Sequence, residues 1–304
     1  MHIDGLVALA GLLVGFVVGL TGMGGGALMT PILVILFKVQ PLAAVSSDLV
    51  AAVIMKPVGG LVHARRGTVD MRLVRLLCIG SIPSAFAGVL VLNSLGKGED
   101  LQNTIKKILG TALLLAASAI IAKATLQRGR TVRLDISEIQ MRAVPTILIG
   151  VVGGFVVGMT SVGSGSLMIV FLLMLYPSLS ASQLVGTDLV QAVPLVASAA
   201  FGHILFGDFQ LGLTGSLLIG SLPGVYLGAR VSANAPDGLI RPALVFVLAL
   251  SGIKLLGASN DALGGALAFG LVVGLGLLLR ARQQQRSRDA LQLPAPPPHS
   301  EVAP

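Results

Sequence analysis

Charge is scarce in this 304-residue chain, in which 11% of the residues are Asp, Glu, Lys or Arg and 54% are hydrophobic. A soluble globular domain has about 25% charged residues, so the composition excludes an ordinary water-soluble enzyme. Residues 5–37 and 143–187 contain no charged residue and no histidine. Because about 20 apolar residues suffice for a helix to cross the hydrocarbon core of a bilayer, these runs predict membrane segments.

Aromatic residues and cysteine are also rare. The chain has no Trp and only two Tyr, so no aromatic belt marks the membrane boundaries. Cys78 is the only cysteine, which excludes an intramolecular disulfide and a cysteine-based metal site. His63 and His203 end apolar segments without neighbouring ligands, and we expect them at the membrane interface rather than on a metal. The sequence predicts neither a metal nor a cofactor.

The net charge of +8 is concentrated in three short windows beside apolar segments, at residues 63–75, 123–142 and 280–289. Basic residues concentrated in short connecting loops are typical of the cytoplasmic side of a membrane protein. No basic face with interleaved aromatics is present, so nucleic acid is not an expected partner. We therefore expect a cytoplasmic C-terminus and an external N-terminus. The N-terminal segment lacks the basic start of a signal peptide and is expected to be retained.

Two halves of the chain repeat the same landmarks in the same order. Residues 15–26 (GFVVGLTGMGGG) match residues 154–165 (GFVVGMTSVGSG), and the later matches are Asp48-Leu49-Val50 with Asp188-Leu189-Val190, His63 with His203, and residues 80–83 with 220–223. Such internal similarity indicates a tandem duplication. We predict a first membrane repeat at 1–125, a basic cytoplasmic connector at 126–141, a second repeat with a final helix at 142–280, and a disordered cytoplasmic tail at 281–304.

The charges beside the two matching histidines predict that the halves have opposite orientations. The loop after His63 is rich in Arg, whereas the loop after His203 contains only Asp208. One loop is therefore expected inside and its copy outside, as in inverted-topology repeats. The predicted fold is an all-α polytopic membrane protein with two inverted repeats, glycine-broken re-entrant helices at 5–37 and 143–176, and one extra C-terminal helix.

The glycine-rich breaks are the predicted substrate site. Unwound backbone at membrane depth is tolerated where it lines a cavity, and a helix that restarts after a break directs amides and a positive dipole end at an anion. Serine and threonine hydroxyls would add neutral donors. The predicted binding residues are Thr21, Gly22, Gly24, Gly25, Gly26, Thr160, Ser161, Gly163, Ser164 and Gly165, with Ser166 as a further hydroxyl. The alternative is that these glycines serve only close helix packing.

Asp48, Lys56 and Asp188 are charged residues that fall within apolar segments. A carboxylate at the bilayer centre costs about 2.5–3.5 kcal/mol, so Asp48 and Asp188, which recur at matching positions, are candidates for proton coupling. The alternative is that each caps a helix that begins there. Lys56 has no charged counterpart in the second half, where Val196 occupies the matching position. It is either a cation that complements an anionic substrate or a side chain that snorkels to the interface.

The paired motifs resemble those of the sulfite exporter TauE/SafE family over residues 5–280. The residues that carry this resemblance are GLTGMGGG at 19–26, SVGSG at 161–165, the Asp-Leu-Val triplet after each, and the late Gly-Ser-Ile-Pro and Gly-Ser-Leu-Pro. The family's glycine-rich motifs match Gly22 to Gly26 and Gly163 to Gly165. The resemblance implies a two-repeat permease of the bacterial inner membrane, for a small sulfur-containing or organic anion such as sulfite, a sulfonate or sulfoacetate, coupled to protons.

Two other functions remain open at this level. A passive anion channel would use the same breaks without coupling. An intramembrane serine hydrolase would use Ser164, within Gly163-Ser164-Gly165, together with His203. No Walker A motif is present, so the chain is not itself an ATPase. The expected partners are the small anion, the lipid bilayer and protons, and the sequence makes no prediction of oligomeric state.

Overall fold

Ten α-helices make up most of the chain that the structure, a computed structural model, describes: residues 4–21, 25–65, 69–96, 98–126, 140–179, 181–231 and 237–259. In the first half these are α1 (Gly5–Thr21), α2 (Gly26–Ile35), α3 (Pro41–Arg65), α4 (Met71–Ser94) and α5 (Glu99–Leu126). In the second half they are α6 (Ala143–Thr160), α7 (Leu167–Leu175), α8 (Ala181–Phe206), α9 (Leu211–Val231) and α10 (Asp237–Leu255).

Each overlong apolar segment consists of two helices. A helix of 17 residues, α1, is followed by the 10-residue α2, and the 18-residue α6 is followed by the 9-residue α7. The interruptions coincide with the glycine-rich motifs, as predicted. The order long, short and then three long helices recurs in both halves. Whether either pair of helices re-enters on one side of the membrane stays a prediction.

The helices are apolar enough for a membrane environment. Within the described residues, six of them (α3, α4, α5, α6, α8 and α9) are long and apolar enough to cross a bilayer. Large apolar side chains cover their outer surfaces; Leu148 and Ile219, for example, are 56% and 54% exposed. Exposed apolar surface on this scale matches contact with lipid rather than water. The predicted class, an all-α polytopic membrane protein, is confirmed.

Glycine seams join the first helix of each half to the fourth helix of the other half. A Cβ at Gly11 of α1 would lie 2.8 Å from the Leu217 carbonyl oxygen of α9. One turn further along both helices, a Cβ at Gly15 would lie 2.5 Å from the Ser221 carbonyl oxygen, so α1 and α9 run parallel. Small residues allow such backbone contact in membranes.

The equivalent seam joins α6 to α4. Gly80 of α4 lies directly against the Ile147 carbonyl of α6. Eight residues further along both helices, a Cβ at Gly88 would lie 2.7 Å from the Phe155 carbonyl oxygen. These helices are therefore also parallel, and backbone contact rather than side-chain interdigitation sets their separation.

The third helices of the two halves, α3 and α8, pack together in opposite directions. Ser46, near the start of α3, bonds to His203, near the end of α8. Gly60, towards the end of α3, lies against Leu189, near the start of α8. The three buried hydrophobic clusters among the described residues each contain residues from both halves, so neither half has a core of its own.

The chain divides into two compact units, Met1–Ala258 and Ser259–Pro304. The ten helices belong to the first unit. The predicted C-terminal helix, the tail at 281–304 and nearly all of the connector at 126–141 lie outside the described residues. The bounds of the four predicted segments stay predictions.

Candidate functional site

The break between α6 and α7 begins at Ser161, which adopts a left-handed conformation with φ 60°. The Val162 amide, which would continue the helix, instead donates to Thr160 Oγ1 at 3.1 Å. Gly163 and Gly165 also have positive φ values, 126° and 91°, which glycine adopts without the steric cost of a Cβ. These glycines are therefore required by the backbone of the break.

The start of α2 contacts the α6–α7 break. Gly26, the first residue of α2, lies so close to Ser161 that an added Cβ would overlap the Ser161 carbonyl oxygen. Gly25 and Gly26 are both buried. The start of one short helix thus contacts the end of α6 in the other half.

Asp48 connects these segments to α3. Its Oδ2 atom accepts hydrogen bonds from Ser161 Oγ at 2.7 Å and from Thr30 Oγ1 of α2 at 3.0 Å. Asp48 is 3% exposed, and Thr30 is fully buried. Two hydroxyl donors stabilise a carboxylate that would otherwise be costly at this depth. Thr30 is not among the predicted binding residues, because its matching position in the second half is occupied by an apolar residue.

Lys56 supplies a cationic group beside this junction. Its ammonium group donates a hydrogen bond to Ser164 Oγ in the α6–α7 break, and it interacts electrostatically with Asp188 and Asp48. Lys56 is 8% exposed and Asp188 is 1% exposed. The hypothesis that Lys56 snorkels to the interface is therefore wrong, since its charged end is directed into the protein.

The two carboxylates are not helix caps. Asp48 and Asp188 lie about two turns inside helices that begin at Pro41 and Ala181, whereas a capping side chain lies just before the first helical residue. The capping alternative is wrong at both positions. Asp48 and Lys56 of α3 and Asp188 of α8 therefore form a buried set of two acidic residues and one basic residue.

The other predicted binding residues have varied environments. Thr160 Oγ1 donates to backbone oxygens, including that of Val156 at 2.7 Å, and the α7 amides of Leu167 and Met168 point at the Gly163 carbonyl. In this conformation these donors bond to the protein itself. Ser166 Oγ, by contrast, is buried and has no hydrogen-bond partner within the described residues. Gly22 and Gly24 lie outside the described residues, and for Thr21 only the backbone is described.

His203 is buried rather than interfacial. It is 0% exposed, so the expected interfacial position is wrong for this residue; the side chain of His63 lies outside the described residues. The ring nitrogens of His203 bond to Ser46 Oγ and the Gly158 carbonyl oxygen, each at 2.8 Å. Ser164 instead pairs with Lys56, so the structure does not bring together the serine and histidine of the hydrolase alternative.

Comparison with known proteins agrees with this architecture. The family model for the sulfite exporter TauE/SafE matches residues 7–255, which include all ten helices except the first two residues of α1. The chain belongs to the TauE/SafE family. It is thus a multi-pass membrane transporter of that family, and the match spans both glycine-rich breaks.

Individual relatives agree with the TauE/SafE assignment. The chain is 40% identical over 252 residues to the probable membrane transporter protein YjnA of Bacillus subtilis, covering 82% of this chain and 98% of the relative. It is 24% identical to the probable membrane transporter protein YdhB of the same organism, over 83% of this chain and 99% of the relative. A probable membrane transporter protein of Methanocaldococcus jannaschii is 25% identical over 83% and 94% of the respective chains. No solved structure matches the chain.

Proposed function

We propose that the protein is a proton-coupled secondary transporter that moves a small sulfur-containing or organic anion, such as sulfite, a sulfonate or sulfoacetate, across the bacterial inner membrane. Membership of the TauE/SafE family supports the transporter class and this class of substrate. The observation that carries the proposal is the buried junction at which Asp48 of α3 bonds to Thr30 of α2 and to Ser161 beside the second break. This junction connects both broken helices to a single titratable group.

The helix directions support the inverted repeat on which alternating access would depend. α8 runs parallel to α4, because Gln191 bonds to Ser81 while Gly202, further along α8, lies against Val89. Since α6 is parallel to α4 and α8 is antiparallel to α3, α6 runs opposite to α3. Gln210, which directly precedes α9, bonds to Ser47 near the start of α3, so α9 runs parallel to α3. Because α1 is parallel to α9, α1 is also parallel to α3. α1 and α6 therefore run in opposite directions, as inverted repeats require.

The site offers an anion one cationic group and two hydroxyls. Lys56 would supply charge, and Ser164, which accepts from Lys56, has no acceptor for its own hydroxyl hydrogen within the described part of the chain. The second hydroxyl is Ser166 Oγ, which is buried and has no hydrogen-bond partner among the described residues. Because the first α7 amides bond to Gly163, the helix dipole would act here through its field more than through direct hydrogen bonds.

Charge balance supports proton coupling. With Asp48 and Asp188 both ionised, the buried set that includes Lys56 has one excess negative charge, and an arriving anion adds another in a medium that screens poorly. Protonation of either carboxylate lowers this repulsion, so binding of the anion and binding of a proton favour each other reciprocally. Intramembrane carboxylates are common proton carriers in transporters.

The proposed orientation has the basic loops and the C-terminus in the cytoplasm and the turn at 207–210 outside. Arg230, near the end of α9, stacks on Tyr226 at 4.5 Å, which would anchor this end of α9 at the cytoplasmic interface. α3 is antiparallel to α8, so the end of α3 and the Arg-rich loop that follows it would lie on the same side of the membrane as the end of α9. The helix directions and the charge distribution therefore agree.

Two alternatives are tested alongside transport. A passive channel would bind the same anion without protons. A serine hydrolase would use Ser164 with Lys56 as its base, since a serine–lysine pair is a known nucleophile arrangement and the two side chains are in contact. Because the family and the relatives are membrane transporters, we place transport first.

The test is uptake by purified protein in proteoliposomes with an imposed pH step. Radiolabelled sulfite, an alkanesulfonate, sulfoacetate and a simple carboxylate are compared, with the membrane potential clamped. We expect uphill accumulation of at least one sulfur-containing anion, abolished in Lys56→Gln. Lys107→Gln, which changes an exposed lysine of α5, is the matched control and should transport normally.

Three outcomes would contradict the proposal. Equilibration of anions without accumulation indicates a channel. Normal accumulation in Lys56→Gln removes the proposed cationic group from the site. Ester or peptide hydrolysis by the wild-type protein that disappears in Ser164→Ala, without anion transport, indicates an enzyme.

A further inference from the structure

His203 joins three segments of the chain that are distant in sequence. Its Nε2 atom lies 2.8 Å from the Gly158 carbonyl oxygen near the end of α6, and its Nδ1 atom lies 2.8 Å from Ser46 Oγ near the start of α3. His203 itself lies in the last turn of α8, and both Ser46 and His203 are fully buried. A buried histidine with both nitrogens bonded has a fixed ring orientation.

The break explains why the Gly158 carbonyl needs an outside donor. In a continuous helix it would accept from the amide of Val162, four residues later. Ser161 ends the helix, and the Val162 amide donates to Thr160 Oγ1 instead. The Gly158 carbonyl is thereby released, and a buried carbonyl without a donor is costly. His203 provides that donor.

The hydrogen-bond directions follow from the chemistry of the partners. A carbonyl only accepts, so Nε2 carries the proton, and in the neutral ring Nδ1 accepts from the Ser46 hydroxyl. Ser46 Oγ in turn accepts from the Asp208 amide at 3.3 Å. Ser46 also lies two residues before Asp48, whose Oδ2 accepts from Ser161. Two adjacent links, one through His203 and one through Asp48, thus hold the end of α6 against α3.

Gly207 allows this arrangement sterically. An added Cβ at Gly207 would lie 2.6 Å from Ser46 Oγ and 2.8 Å from His203 Nδ1. A methyl group there would force the two side chains apart. Gly207 does not have a positive φ, so alanine would act through these contacts, which also include the His203 carbonyl oxygen at 2.7 Å.

A cavity of about 300 Å³ borders His203. Its walls are formed by the start of α3, the end of α4, the start of α5 and the turn after α8, and include His203, Gly207, Asp208, Gln40, Asn93 and Gln102. Gln40 and Asn93 are exposed, so the cavity opens at this end of the helix bundle. His203 therefore lies beside the cavity while its Nε2 atom bonds to the backbone of α6 just before the break.

We propose that His203 is a positioning residue that separates this end cavity from the α6–α7 break, and that the His203–Gly158 and His203–Ser46 bonds must release for a solute in the cavity to reach the break. The proposal rests on the proposed function, since it treats the break as the substrate site. Beyond that function, the proposal assigns the end cavity as the route to the break and His203 as the side chain that closes this route.

Accessibility of a cysteine in the break tests the proposal without any substrate. Val162→Cys is introduced on a Cys78→Ala background, because Val162 is fully buried in the break. An impermeant methanethiosulfonate reagent is applied from the face on which Asp208→Cys reacts. We expect slow labelling at position 162 with His203 intact, and labelling at least about tenfold faster in His203→Ala and in Gly207→Ala, because local opening becomes less costly.

Conservative variants separate positioning from general packing. His203→Gln can keep the donor to Gly158 and should restore slow labelling, whereas His203→Asn reaches only the Nδ1 position and should not. Gly5→Ala, at a glycine with nothing within 4 Å of an added Cβ, is the control for Gly207→Ala and should label slowly.

Two results would overturn the proposal: labelling at position 162 as fast as at 208 in the parent protein, or unchanged slow labelling in both His203→Ala and Gly207→Ala. If His203→Ala does not reach the membrane, Gly207→Ala and His203→Gln decide the question. Absence of transport for every anion tested would contradict the proposed function, whereas the labelling pattern would still establish or exclude the barrier at His203.

Discussion

Asp48 and Ser161 lie 113 positions apart in the chain and are joined by a 2.7 Å hydrogen bond between Oδ2 and Oγ. Ser161 can direct its hydroxyl at α3 because its left-handed conformation ends α6 at that point. The same carboxylate oxygen accepts from Thr30. One buried atom therefore links the two broken helices of the protein to the helix that carries Lys56.

The first prediction separates proton transfer from structural support at Asp48. Asp48→Asn keeps an oxygen that can accept from Thr30 and Ser161 but cannot titrate in the transport cycle. We expect normal amounts in the membrane, substrate exchange that is partly retained, and loss of accumulation driven by a pH step in proteoliposomes. Asp188→Asn is expected to behave in the same way. Normal pH-driven accumulation in both variants would remove the carboxylates from the coupling mechanism.

The second prediction concerns the hydrogen bond from Ser161 to Asp48 when the serine hydroxyl is removed and the carboxylate is kept. Ser161→Ala deletes one of the two donors to Asp48, and loss of a partner of a buried polar group costs about 1–3 kcal/mol. We expect a lower unfolding temperature in detergent and slower transport, but pH-driven accumulation should persist. If Ser161→Ala abolishes coupling while exchange continues, Ser161 has a direct part in proton transfer and this prediction is wrong.

The third prediction concerns the break itself. Gly163 has φ 126°, where a β-branched side chain is strongly disfavoured. Gly163→Val is expected to reach the membrane and to lower transport at least about tenfold, or about 1.4 kcal/mol. Gly257→Val is the matched control, since Gly257 has φ 102° and nothing within 4 Å of an added Cβ. Equal transport by the two variants would indicate that the break tolerates side chains and would argue against a site there. Gly24→Val is expected to lower transport similarly.

The fourth prediction tests the glycine seams. A Cβ at Gly158 would overlap the Ala85 carbonyl oxygen, and a Cβ at Gly220 would overlap that of Ala8. Gly158→Val and Gly220→Val should therefore lower the amount of folded protein and its unfolding temperature, because overpacking costs about 1–3 kcal/mol. Size-exclusion profiles of detergent extracts measure this effect. Folded amounts equal to those of Gly5→Val would show that the seams can separate without cost.

The fifth prediction concerns orientation. On a Cys78→Ala background, Arg130→Cys and Arg282→Cys are expected to react with an impermeant maleimide only after permeabilisation. Phe209→Cys, in the turn between α8 and α9, should react in intact cells. Labelling of all three on the same side would contradict inverted repeats.

The sequence by itself determined the membrane class, the helical fold and the positions of the two breaks. Hydropathy depends on local composition, and a run without charge long enough to cross a bilayer has few other structures available. Glycine at the breaks is equally local, as the φ values of Gly163 and Gly165 illustrate. The motifs at 19–26 and 161–165 also determined the family.

Only the tertiary structure decided what the buried polar side chains do. Asp48 was open to interpretation as a cap and Lys56 as a snorkelling residue because each reading considers one helix alone. Their partners, Ser161 and Ser164, lie in the α6–α7 break of the other half of the chain, and only the tertiary fold brings that break to α3. His203 was placed at the interface because it ends an apolar run, yet it is fully buried. Its partner is a carbonyl released by a break in a different helix, and no pattern within α8 records that contact.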